Sequence, residues 1–86
     1  MRKTMGDIRK RYDEILERHK GSGSTYDVLV FTSGELEREL VAYYSTPEGR
    51  AEIADSPHAA LNVQDAVALL MQDVDGWAVR TLREKT

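Results

Sequence analysis

The 86 residues contain no cysteine, only two prolines, one tryptophan and one phenylalanine. Without cysteine, no disulfide supplements the core and no thiolate metal site exists. A chain this short buries only about 60% of its unfolded surface, so close helix packing or a partner must supply the rest of its stability. The missing thiols suit a reducing compartment, and the expected location is the cytoplasm. No apolar run approaches the ~20 residues that a membrane span needs. The early charges Arg2, Lys3, Arg9, Lys10 and Arg11 precede no apolar stretch, so no secretory signal is read there.

Chemistry-bearing motifs are also scarce. No Walker-type or dinucleotide-binding glycine pattern is present. The Asp73-x-Asp75-Gly76 stretch has the look of a calcium loop, but Met71 and Leu82 then fall where the first and last oxygen ligands belong. His58 near Asp55 and Ser56 lacks a nucleophile elbow and is no hydrolytic triad. No catalytic residue, metal ligand or cofactor is expected, and the chain is not read as an enzyme.

What is present is charge asymmetry and helical periodicity. The net charge is −3. Residues 1–20 hold seven basic and four acidic groups, whereas residues 21–86 hold five and eleven. Opposite signs invite the first segment to lie against the second or against another copy of it. Met1, Met5, Ile8, Tyr12, Ile15 and His19 repeat at alternating spacings of four and three, with Leu16 widening the stripe. This spacing predicts an amphipathic helix from Thr4 or Met5 to about His19. Gly21-Ser22-Gly23-Ser24 ends it, with Gly21 placed as a left-handed cap. The tract reads as a loop, and its composition also suits a flexible tether between a helical ligand and its receptor.

Tyr26 to Thr32 (YDVLVFT) is rich in β-branched and aromatic residues and reads as a short strand covered on both faces. The rival is a buried helix that starts at Ser24 and runs on. Thr32 with Glu35 matches a capping box and places a helix start there instead, giving a helix over about 33–45 on Leu36, Leu40, Tyr43 and Tyr44. Thr46-Pro47-Glu48 starts a short helix that ends near Asp55. Ser56-Pro57 signals a turn. Val63, Ala66, Val67, Leu70, Val74 and Trp77 predict a long helix, continuous to about Glu84 or broken near Gly76.

The second half of VQDAVALLMQDVDGWAVRTLREK resembles the recognition end of helix-turn-helix proteins, with Val74 in the turn and Val79 and Leu82 facing the core. That resemblance implies DNA contacts by Trp77, Arg80, Thr81 and Arg83. Asp73 stands where the turn glycine belongs, and the acidic balance of the segment disfavours nucleic acid. A strand followed by two helices is also similar to the ribbon-helix-helix dimer, which implies that two copies pair through Val28, Leu29, Val30 and Phe31.

The expected fold is mainly α, with four to five short helices and one short β-strand over about 26–32 that pairs across a homodimer. Its parts are a basic helix over 1–20, a linker over 21–25 and an acidic domain over 26–86, together one compact domain. The expected function is a small non-enzymatic interaction or regulatory module whose partner is a protein or a second copy. The partner-binding residues would be Met5, Ile8, Arg9, Arg11, Tyr12, Ile15 and Leu16, acting by helix docking or strand addition. The helix-turn-helix regulator is the alternative.

Overall fold

The computed structural model describes residues 3–85, in four helices. Met1, the head of the first predicted stripe, and Arg2 lie outside the described residues. Helix α1 spans Met5–His19, α2 Thr25–Tyr44, α3 Pro47–Ala54 and α4 Val63–Lys85. They form an elongated bundle, 40 × 20 × 19 Å, in which α2 packs against all three others.

Helix α1 begins where its sequence says it should. The Thr4 hydroxyl accepts the Asp7 amide at 3.1 Å, and the Asp7 carboxylate accepts the Thr4 amide at 3.0 Å. This reciprocal cap satisfies two otherwise orphaned donors. It also holds the Asp7 carboxyl below the usual carboxylate range. Ile8, Tyr12 and Ile15 are fully buried, so the rest of this chain covers the stripe. Gly21 follows with φ +86°, the left-handed conformation that glycine adopts without strain and that ends helices.

The predicted strand is not there. Among the described residues there is no β-structure, and Val28, Leu29, Val30 and Phe31 lie within α2. The start of this helix is Ser24, whose hydroxyl accepts the Asp27 amide at 3.2 Å while the Asp27 carboxylate accepts the Ser24 amide at 3.3 Å. The second capping-box candidate caps nothing. Thr32 is buried mid-helix and donates its hydroxyl to the Val28 carbonyl at 2.7 Å, a local bond that satisfies the polar group inside the helix. The segment expected to start at Ser33 is therefore the second half of one 20-residue helix. Its buried edge is Val28, Thr32, Leu36, Leu40 and Tyr44, every fourth residue, with Leu29 beside it. With the strand goes the reason for pairing two copies through it.

Helix α3 starts as expected, with Thr46 as cap and Pro47 in its first turn. The Thr46 hydroxyl accepts the Gly49 amide at 3.1 Å and donates to the Tyr43 carbonyl at 2.5 Å, which folds α3 tightly back on the end of α2. At Gly49 a Cβ would collide with the Tyr43 carbonyl oxygen and the Tyr44 Cα, so glycine is required for that approach. A turn over 56–61 leads to Asn62, whose side chain accepts the Asp65 amide at 2.8 Å at the head of α4. Helix α4 is unbroken through Asp73, Asp75 and Gly76. It therefore lacks the turn that a helix-turn-helix unit needs between its two helices. Val67, Met71 and Val74 complete the core begun by Ile8, Tyr12, Ile15, Leu36 and Leu40.

Candidate docking groove

The residues expected to bind a partner are mostly engaged inside the molecule. Ile8, Tyr12 and Ile15 are core, and Leu16 packs half-buried against it. Arg11 donates from Nε and Nη2 to the two carboxylate oxygens of Glu39 on α2, at 2.7 and 2.8 Å. This paired hydrogen bond holds the Glu39 carboxyl below its usual range and raises the Arg11 guanidinium above its own. Arg18 pairs with Glu35, and His19 Nε2 lies 3.1 Å from the same carboxylate. The opposite charges of the two segments thus meet along the α1–α2 seam. Arg9 sits over the Trp77 ring at 4.9 Å and pairs with Asp13 at 3.3 Å. Met5 is partly exposed.

The alternative DNA-contact residues are dispersed. Trp77 is half-buried and meets Tyr12 edge-on, with ring centroids 5.5 Å apart. Thr81 donates to the Trp77 carbonyl at 3.0 Å. Arg80 and Arg83 are exposed on α4.

On the side where α2 runs beside α4, no other described residue covers the surface. A groove of about 600 Å³ lies between them. Leu29, Met71, Ala78 and Leu82 line it, with Tyr26, Val30 and Val79 standing 63, 49 and 47% exposed. Its lining includes two ionisable carboxylates, Glu37 from α2 and Asp75 from α4, and no cation. Neither carboxylate makes an ion pair among the described residues. Side chains at 26, 30, 33 and 37 come from one stripe of α2 with four-three-four spacing, and 71, 75, 78 and 82 from one stripe of α4. Both stripes are visible in the sequence once residues 25–44 are read as one helix. Read as a strand, residues 26 and 30 share a face for a different reason, and position 37 falls in another element.

No group of His, Cys, Asp or Glu side chains among the described residues is placed to hold a metal ion, and no helix there is long and apolar enough to cross a membrane. No family model, curated protein or solved structure matches the chain.

Proposed function

We propose that the chain is a small non-enzymatic protein-interaction module whose α2–α4 groove receives the apolar face of a basic amphipathic helix on a partner protein. The observation that carries this reading is the row Tyr26, Val30 and Val79, large apolar side chains half-exposed along one groove whose charged lining groups are acidic. An apolar trough edged by one sign of charge suits helix-in-groove recognition, with anchors at i, i+3 or i+4 and i+7 on the docked helix. From Tyr26 to Glu37 the trough runs about 16 Å along α2, at 1.5 Å per residue, or roughly three turns. Lysine or arginine on the guest would then reach Glu37 and Asp75.

Charge argues for a basic partner over a second copy. Two chains joined face to face through this groove would bring Glu37 and Asp75 of one toward those of the other, and like charges brought together across an interface oppose binding. The expected homodimer loses its strand-based rationale and becomes an outcome of the test.

The probe is a labelled helical peptide with leucine at a and d heptad positions and lysine elsewhere, compared with its glutamate counterpart at physiological salt. The lysine peptide binds with micromolar affinity and the glutamate peptide does not. Glu37→Lys with Asp75→Lys weakens binding at least tenfold, and Val30→Asp with Val79→Asp abolishes it while leaving the thermal melt unchanged. Equal binding of both peptides, or unimpaired binding by the groove variants, contradicts the reading. A solution mass of twice 9.7 kDa that Val30→Asp with Val79→Asp reduces to 9.7 kDa makes the second copy the occupant instead and overturns the choice of partner.

A further inference from the structure

A second cavity, of about 230 Å³, is lined by residues of all four helices and shares none of them with the groove. Met5, Ile8, Tyr44, Ile53, Ala66 and Leu70 supply its apolar wall, and Ile8, Tyr44 and Ala66 are buried. An apolar cavity of about 150 Å³ is enough to hold one benzene ring. Pockets for drug-sized ligands start at roughly 300 Å³. The space here lies between the two and suits a single substituted ring.

The ionisable groups on the lining carry both signs: Lys3 is a cation, Glu52 an acid, and His58 a third titratable group. The Lys3 ammonium lies 4.8 Å from the centre of the Tyr43 ring. Oε1 of Glu52 accepts the Lys3 backbone amide at 2.6 Å, and Oε2 is closed to solvent, so a guest in the cavity finds no donor-free carboxylate oxygen open to it. The Ser56 hydroxyl is also engaged, donating to the Ile53 carbonyl at 2.7 Å and accepting the His58 amide at 3.1 Å. A cationic guest is opposed by Lys3, and a protonated His58 would add to that opposition. For an anion, the pull of Lys3 is offset by Glu52, which bonds the Lys3 backbone. Either ion would also give up water for an apolar wall, at a cost that an uncharged molecule avoids.

We propose that this cavity binds an uncharged, largely apolar molecule the size of a substituted benzene. The ring lies against Ile8, Ile53 and Leu70, where the Met5 thioether and the Tyr44 ring add contacts that favour an aromatic guest. The site is independent of the α2–α4 groove, which serves as the control surface in its test.

2-Phenylethanol, phenethylammonium and phenylacetate share one ring and differ in charge. Each is titrated into the full chain while the methyl signals of Ile8, Ile53 and Leu70, and those of Leu29 and Leu82 in the groove, are followed by NMR. The alcohol shifts the first three saturably, with a dissociation constant of roughly 1 mM, as suits a ligand this small. The groove methyls stay unmoved over the same range. The ammonium and the carboxylate each bind at least about tenfold more weakly than the alcohol. Ala66→Met, whose longer side chain occupies the cavity, abolishes binding of the alcohol. The comparison of the three ligands in the unaltered chain stands even if that variant fails to fold. The proposal is overturned by absence of saturable shifts at the three methyls, by either ion binding as tightly as the alcohol, or by undiminished binding in folded Ala66→Met. Equal shifts at the groove methyls, which would mean partitioning onto any apolar surface, overturn it too.

Discussion

The two flanks of α2 handle apolar surface and charge in opposite ways. Along the flank that meets α1, Ile8, Tyr12 and Ile15 are sealed, and the acids Glu35 and Glu39 are matched by Arg18 and Arg11. Along the flank beside α4, Tyr26 and Val30 stand open, and Glu37 faces the groove with no ion pair among the described residues. Apolar area kept in water contributes nothing to folding, and this exposed apolar row is the surface on which the proposed docking rests. The basic amphipathic character of α1 is spent inside the fold. The open acidic flank is the one the proposed reading assigns to a partner.

The largest effect that separates the flanks is on stability. Ile15→Asp places an unpaired charge in the core and costs at least about 4 kcal/mol, enough to unfold a small domain. Val30→Asp, on an exposed site, changes stability by no more than about 0.5 kcal/mol. Urea titration of the two variants checks this contrast, and comparable losses would break it.

The seam itself has a pH signature. The Arg11 hydrogen bonds depress the folded pKa of Glu39 below its ordinary 4.5. The stabilisation they provide is therefore complete above pH 4.5 and disappears as the pH falls through the lowered folded value. Because both partners are more than a third exposed, solvent screens the pair and the effect is small. Glu39→Gln makes the acid limb of the stability profile shallower, and urea titrations repeated across acid pH check it.

A smaller effect of opposite sign is expected at Gly76. Its position is exposed, lies inside α4, and leaves open space for a Cβ. Gly76→Ala stabilises by about 0.5–1 kcal/mol if the helix beside the groove is continuous. A loss of stability would mean a turn there. The smallest effect belongs to Tyr12, whose ring is core but whose buried hydroxyl has no partner among the described residues. Tyr12→Phe removes an unsatisfied group and leaves thermal stability unchanged or slightly raised.

Much of this architecture is legible in the chain. The α1 stripe, the Gly21 cap, the Thr46-Pro47 start of α3 and the spacing of α4 all follow local rules, and the opposed charges of residues 1–20 and 21–86 do meet. The strand expectation fails where two capping-box patterns compete eight residues apart. Ser24 with Asp27 and Thr32 with Glu35 have the same form, and the apolar run between them fits a buried strand or a buried helix equally well by periodicity. Burial decides between them. Thr32 bonds backward to Val28, and every fourth residue from 28 to 44 reaches the core. Gly34 is carried inside the helix because tertiary packing outweighs its roughly 1 kcal/mol propensity cost. The groove is not legible from a strand at 26–32, since its α2 side exists only when positions 26 to 37 share one helix.

The most direct test of which flank works is an amide shift map of the isotope-labelled chain with the unlabelled lysine–leucine peptide. The account predicts perturbations concentrated at Tyr26, Val30, Glu37, Asp75 and Val79, with Ile8, Tyr12 and Ile15 unmoved. Shifts concentrated along α1, with the groove silent, would contradict it.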